Sequence, residues 1–465
     1  MKNPLHVVTR IIYFLFVLFV LFVCTNSVFL LASGASDSLV LLLFIFVLFF
    51  LWIWPMAYGR DIRDGKMRQL WYGNFQLQIF LQALILTIVY TVFELLILHR
   101  VDDGVCYNIA GGLIVASWQR ILKHIIIATV FLSITFWIGI IRIYICSGQL
   151  GIKMRVIGIL CGLIFPLNII VLAVMIYKTK QEVDFENGKA LLNEQRKAEQ
   201  ICATKYPVLL LHGIFFRDFK YFDYWGRVPK ELITNGCRVF YGEQQSSATV
   251  EFCGKEIARK IEEIVKMTGS EKVNIIAHSK GGLDARFAMS DPEIAKHVAS
   301  LTTINTPHRG CEFADYLLTK SPEKLRNGVA AAYNKALGKL GDYAPDFLGG
   351  CSNLTRSFCA DFNSKIHDPE GVYIQSFGSV MNNHRGGQFP LNLTHGFVGM
   401  FDGRNDGLVG EQSFPWGSDF HLITPTGKRG ISHGDVIDLN RENIPGYDVR
   451  EFYVNLVADL KKKGF

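Results

Sequence analysis

The first third of the chain is almost pure hydrocarbon, and a segment of that kind cannot fold as a water-soluble domain. Residues 1 to about 177 are dominated by Leu, Ile, Val and Phe. An apolar run of about 20 residues is long enough to cross a bilayer as a helix, with every backbone polar group satisfied internally. Five such runs can be read, at roughly 11–32, 38–58, 76–98, 121–145 and 156–177. The first is not read as a secretory signal. Its apolar core is long, no small-residue cleavage site follows, and four more runs come after it. Residues 1–177 are therefore expected to form an all-α transmembrane domain.

The loop charges orient it. Lys2 and Arg10 precede the first run, and Arg60, Arg63, Lys66 and Arg68 lie in the second loop. Lys153 and Arg155 lie in the fourth, whereas the first loop, "ASGASD", has no basic residue. The third loop opposes the trend with Arg100, Arg120 and Lys123. The balance puts the N-terminus in the cytoplasm. Five crossings would then leave the rest of the chain on the extracytoplasmic side. The net charge of +7 arises partly from these orienting residues, so no nucleic-acid partner is expected. A charged, helix-favouring stalk or linker follows at 178–204.

From about residue 205 to 465 the pattern changes. "YPVLLLHG", "CRVFYGEQ", "KVNIIAHS", "VASLTTINTP" and "GVYIQSFG" read as short strands. Residues 249–267 and the C-terminal "YDVREFYVNLVADLKKKG" have helical spacing. Strands alternating with amphipathic helices imply an α/β fold with a mostly parallel sheet covered on both faces. Sites in such folds lie at the carboxyl ends of the strands.

One of those ends carries chemistry. "KVNIIAHSKGG" is a strand, one exposed serine and a helix start, the pattern of a nucleophile elbow. Small residues are needed two positions either side of Ser279, and Ala277 and Gly281 are there. An ordinary β–α turn with a capping serine gives the same five residues. "VLLLHGIFF" supplies a second element, because an early loop after the first strand can carry another backbone donor, here Ile214. His212 reads as a structural residue of that loop, and His278 as buried packing.

An acid and a histidine should follow in that order. Asp406 sits in "NDGLV", where Asx-Gly marks a tight turn, and Asp402 competes with it. His433 lies in the Gly-flanked "KRGISHGDVID", and His421 lies in "DFHLIT", an alternating strand where a half-buried structural role is expected.

Taken in order, "LLLHG", "AHSKGGLDAR", "NTPHRG", "NDGLV" and "SHGDV" resemble the bacterial triacylglycerol lipases of the α/β-hydrolase fold, over about residues 205–465. The resemblance implies Ser279 as nucleophile, Asp406 as acid and His433 as base, with Ile214 and Lys280 as backbone oxyanion donors. It implies a lipid ester substrate and no required cofactor. Lys280 departs from the family's usual apolar or neutral residue, which leaves acyl-chain preference open. The membrane domain lies outside the resemblance.

Within that frame, residues 309–350 would be a lid. Leu325, Val329, Tyr333, Leu337 and Leu340 recur at helical spacing, as they would also in a helix packed permanently on the core. The aromatic "IFFRDFKYFDYWG" fits an acyl-chain wall or core. Asp435, two residues after His433, occupies a position where some related lipases bind calcium; a loop-capping role is the alternative. Cys351 and Cys359 could close a short disulfide loop or remain buried thiols. The expected function is a membrane-anchored lipase or carboxylesterase. The alternatives are an acyltransferase using the same three residues and a non-catalytic hydrolase-like receptor or scaffold.

Overall fold

The computed structural model describes residues 4–31, 35–53, 62–99, 105–107, 113–115, 118–214, 224–339, 341–425 and 427–465. The chain divides into two units, Met1–Leu191 and Leu192–Phe465.

The first unit is built from helices α1 (Pro4–Thr25), α2 (Ala35–Ile53), α3 (Gly65–His99), α4 (Trp118–Cys146), α5 (Gly151–Cys161) and α6 (Leu167–Gln195), with a short antiparallel hairpin pairing 105–107 with 113–115. Its outward faces are apolar, with Leu42, Phe46, Ile85 and Ile145 exposed. Polar side chains point inward instead. Arg142 donates to Gln76 Oε1 at 3.0 Å, Asn74 Nδ2 to Thr179 Oγ1 at 2.6 Å, and Thr91 Oγ1 lies 2.8 Å from His124 Nε2. That inside-out pattern suits a hydrocarbon surround, where an unpaired polar group is costly.

Among the described residues, three helical stretches are long and apolar enough to cross a membrane: Val8–Thr25, Gly65–Glu94 and Arg120–Cys146. Ser36–Trp52 is a shorter apolar helix of 10–17 residues. The run at 156–177, expected as a fifth crossing, is divided, because α5 ends at Cys161 and α6 begins only at Leu167. The apolar pieces, 156–161 and 167–177, are each well short of the roughly 17–25 residues of a crossing helix. A second observation points the same way. Arg10, at the start of α1, and Lys180, beyond the divided run, line one cavity of about 350 Å³. An odd number of crossings between them would put them at opposite faces, roughly 30 Å apart. Lys2, Arg60 and Arg100, used in the charge count, lie outside the described residues, as do residue 32 of the first run and 54–58 of the second.

The second unit centres on a six-stranded sheet with β1 (Val208–Leu211), β2 (Val239–Tyr241), β3 (Val273–His278), β4 (Val298–Ile304), β5 (Tyr373–Ser379) and β6 (Asp419–Ile423). The order is β2-β1-β3-β4-β5-β6, and every pair is parallel. Central strands β3 and β4 are buried at every position, which explains why neither carries an Asp, Glu, Lys or Arg. The helices, in chain order, are α7 (Val228–Thr234), α8 (Val250–Thr268), α9 (Gly281–Met289), α10 (Glu312–Lys320), α11 (Glu323–Lys339), α12 (Phe347–Ser352), α13 (Arg356–Lys365), α14 (Leu391–Asp402) and α15 (Val449–Lys462). On one face of the sheet α7 and α15 pack through Trp225, Leu232, Tyr453 and Val457. On the other, α8 and α9 pack through Ile257, Ile261, Ala285 and Met289. Parallel connectivity brings the ends of β1, β3 and β4 together along one edge.

Candidate active site

Ser279 occupies the turn between β3 and α9 with φ +55°, a left-handed conformation that a serine adopts at a cost of about 1–2 kcal/mol. Its N–H donates to Ile304 O at 2.9 Å, which ties the turn to the end of β4. Gly281 is required by close approach. A Cβ there would lie 2.5 Å from His212 O, so a larger residue would drive the turn off the first loop.

That loop abuts the serine. A Cβ on Gly213 would lie 2.7 Å from Ser279 Cβ. Gly213 N–H donates to Tyr224 Oη at 2.9 Å, and Tyr224 Oη lies 2.6 Å from His278 Nδ1. The phenol oxygen thus accepts from Gly213 and pairs with the His278 ring. Burial, reinforced by neighbouring His433, pushes the His278 pKa well below the ordinary value, so the ring is neutral and able to accept. His278 is thus more than packing: with Tyr224 it holds the loop that carries Ile214. The side chains of His212 and Gln244 also fix this loop, with His212 Nε2 2.9 Å from Gln244 O and Gln244 Nε2 donating to His212 O at 3.0 Å. Of the aromatic stretch expected as an acyl wall, residues 215–223 lie outside the described residues.

Asp406 and His433 are brought into contact. His433 Nδ1 lies 2.6 Å from Asp406 Oδ2, and His433 N–H donates to Asp406 O at 2.9 Å. Oδ1 of Asp406 accepts from Leu408 N at 2.9 Å and Val409 N at 2.8 Å, and Oδ2 also accepts from Asn305 Nδ2 at 2.6 Å. The carboxylate is fully buried and held in one orientation. The His433 ring centroid lies 4.4 Å from that of His278, the residue next to Ser279. The competitors lie elsewhere. Asp402 accepts from Glu312 N and Phe313 N, each at 3.1 Å, and so caps α10. His421 stands exposed on edge strand β6, stacked 5.2 Å from Phe377, and not half-buried as its alternating pattern suggested.

Asn305 is the residue that sequence reasoning missed. It follows β4 with φ +50°, in the "NTP" segment, and orients Asp406 while donating to Ser379 Oγ at 2.8 Å. Its signal was an asparagine at a strand end, a residue type that tolerates the left-handed region.

Lys280 puts its backbone in the first turn behind Ser279 and turns its side chain away. Nζ donates to Asp284 Oδ1 at 2.6 Å and approaches Cys253 Sγ of α8 at 3.5 Å. Burial outweighs the pull of the Lys280 ammonium and leaves the Asp284 carboxyl raised to about 6. At neutral pH the two form a buried ion pair. It removes the conflict between a cation and the helix N-terminus, since the charge is neutralised one turn further on.

Asp435 does not present a calcium site. Its carboxylate faces Arg429 Nη2 at 3.1 and 3.2 Å and accepts from Ser432 N at 2.9 Å. A guanidinium of the chain's own takes the place that a divalent cation would need, and the residue secures the loop carrying His433. Cys351 and Cys359 are both free thiols, which removes the disulfide alternative.

The expected apolar stripe of 309–350 faces outward. Leu325, Val329 and Tyr333 of α11 are exposed and Leu337 is buried, whereas Leu340 lies outside the described residues. The adjoining α12 approaches the site closely: a Cβ on Gly350 would lie 3.1 Å from Ile214 Cδ1. An unanticipated helix, α14, packs on α10 through Phe313, Tyr316, Phe397 and Phe401, and leaves Leu393 and Met400 exposed at 67% and 75%.

Residues 206–379 match the family model described as alpha/beta hydrolase fold. The chain is 35% identical over 179 residues to a triacylglycerol lipase of Pseudarthrobacter phenanthrenivorans, covering 36% of this chain and 55% of the relative. It is 28% identical over 297 residues to one of Pseudomonas fragi, covering 56% and 98%. Among solved structures, Staphylococcus hyicus lipase aligns with a TM-score of 0.45 and 18% identity, covering 56% of this chain and 97% of that one. The chain spans about half the length of the first two curated relatives it matches. Residues 206–379 of the second unit thus match the alpha/beta hydrolase fold, and the chain is similar to triacylglycerol lipases.

Proposed function

We propose that the protein is a membrane-anchored serine hydrolase that cleaves carboxylic esters of lipids. The observation that carries this reading is the Asp406–His433 pair, fixed at 2.6 Å beside the strained turn of Ser279. Serine is a weak nucleophile at neutral pH and needs an adjacent base. His433 takes the Ser279 proton as Oγ attacks the ester carbon. Asp406 holds Nδ1–H and stabilises the imidazolium. The developing oxyanion accepts from the backbone N–H groups of Ile214 and Lys280, at the N-terminus of α9. His433 then protonates the departing alcohol, and a water molecule, activated by the same histidine, releases the acid and restores Ser279.

A lipid substrate is supported by the lipase relatives and by the exposed apolar faces of α11 and α14 on the inserted segments. A soluble esterase gains nothing from Leu325, Leu393 and Met400 in water, whereas a lipid surface buries them. Turnover of a chromogenic acyl ester should therefore rise several-fold as the substrate passes from monomer to micelle or droplet. Equal specific activity on both sides of that threshold would sink the lipid-surface reading and leave an esterase.

Sidedness follows from the crossings. With the shorter apolar helix Ser36–Trp52 counted beside Val8–Thr25, Gly65–Glu94 and Arg120–Cys146, the reading is four crossings, an even number supported by the cavity that Arg10 and Lys180 share, and the chain would return to the face on which it began. The extracytoplasmic placement expected from five crossings gives way to a cytoplasmic one under the same basic-residue bias. Protease added to right-side-out membranes should spare the second unit, and protease added to inverted ones should release it. The opposite result would restore the outer placement.

A further inference from the structure

The hydrolase reaction makes no use of the cavity in the first unit, yet that cavity is chemically differentiated. Its polar end, about 350 Å³, is formed by Arg10 of α1, Asn74 of α3, and Lys180 and Asp184 of α6. It shares Arg10, Trp71, Phe75 and Lys180 with a second space of about 370 Å³, which continues along Ile11, Phe14 and Leu15. Trp71 and Phe75 stack at 5.3 Å, and Tyr13 lies on Phe75 at 5.6 Å, so the second arm is walled by aromatic and aliphatic carbon. Asn74 is committed to the wall, donating to Ile176 O at 2.6 Å. Lys180 and Asp184 have no hydrogen-bond or ion-pair partner among the described residues.

We propose that the joined space binds one anionic phospholipid, with its phosphodiester between Arg10 and Lys180 and an acyl chain along the aromatic arm. Two cations against one carboxylate leave a single positive charge, which a phosphodiester neutralises; a phosphate of higher charge would face Asp184 unopposed. The apolar arm gives no purchase to a free phosphate. The position suits the ligand. Arg10 is in the opening turns of the first apolar helix and Trp71 is in those of α3, near the headgroup level where tryptophan and basic residues gather. Basic pockets between membrane helices on the cytoplasmic side hold anionic headgroups by the same physics. The combined volume falls in the range of small-molecule sites, about 300–1,000 Å³.

The test uses the full chain in neutral detergent, with dioleoyl phosphatidylglycerol as probe. Native mass spectrometry should retain one lipid per chain, and the unfolding midpoint should rise with lipid concentration, as a ligand of the folded state requires. Dioleoylglycerol, which lacks the phosphate, and glycerophosphoglycerol, which lacks the chains, should do neither at the same concentration. Lys180→Gln and Arg10→Gln should each weaken retention about five-fold, the worth of one cation near a membrane surface. Asp184→Asn should strengthen it by a similar factor. Lys180 is exposed, so its variant should fold and keep full ester turnover. Retention unchanged in Lys180→Gln, weakened in Asp184→Asn, or matched by dioleoylglycerol or glycerophosphoglycerol would overturn the assignment.

Discussion

Ser279→Ala should lower ester turnover by a factor on the order of 10⁶, the loss seen when a triad nucleophile is removed and only binding and oxyanion stabilisation remain. The fold should survive, because Ser279 makes its structural hydrogen bond through the backbone, to Ile304 O. A fluorophosphonate probe should label the native chain on the peptide carrying Ser279 and leave the variant unlabelled. Ser279→Gly should be equally inactive yet more stable by about 1 kcal/mol, since glycine adopts φ +55° without the Cβ penalty. Stability rising while activity vanishes would identify strain held for function. Equal labelling of wild type and Ser279→Ala would show that the nucleophile is elsewhere.

Asp406→Asn should cost about 10⁴-fold in turnover, because an amide at that position leaves the imidazole in the wrong tautomer. Loss of charge, with shape retained, isolates this effect from packing. Asp402→Asn should behave differently. Asp402 caps α10 and pairs with Arg356 at 3.2 Å, so its loss should loosen the inserted segment and cost about 1 kcal/mol in stability, with the chemical step intact. His433→Ala should be as inactive as Ser279→Ala, and His421→Ala should match wild type, since His421 is exposed and bonded to nothing in the site. Single-turnover rates for the four variants decide between the pairs. An inactive, well-folded Asp402 or His421 variant would reassign the acid or the base.

The strands of the second unit were legible as short, largely uncharged runs bounded by turn residues, and the helices at 249–267 and the C-terminus because their apolar positions recur at 3.6-residue spacing. Ser279, Asp406 and His433 stood out through turn chemistry around them: glycines, Asx-Gly, and Gly-flanked loops. Helix α14 was not legible. "LNLTHGFVGMFD" carries two glycines and an asparagine, poor helix formers, and it holds together through aromatic packing on α10. The contributions of Asn305 and Tyr224 were hidden for another reason. Each acts across a distance in sequence, from 305 to 406 and from 224 to 278, and such pairings exist only once the sheet has formed. The run at 156–177 reads as continuous because composition measures hydrophobicity, whereas the helix itself breaks between Cys161 and Leu167.

The inward turn of Lys280 has a consequence for how substrate preference could change. Its ammonium is locked between Asp284 and Cys253, on the far side of the helix start from the ester. The residue after the nucleophile therefore takes no part in sorting acyl chains. That task falls to side chains borne by the inserted helices and the loop after β1. Under the proposed hydrolase reading, a rigid geometry for bond-making and an adjustable surface for choosing among lipid esters are thereby assigned to different stretches of chain. Variation in 309–350 or along α14 can retune the choice of fat while the elbow stays bolted to α8.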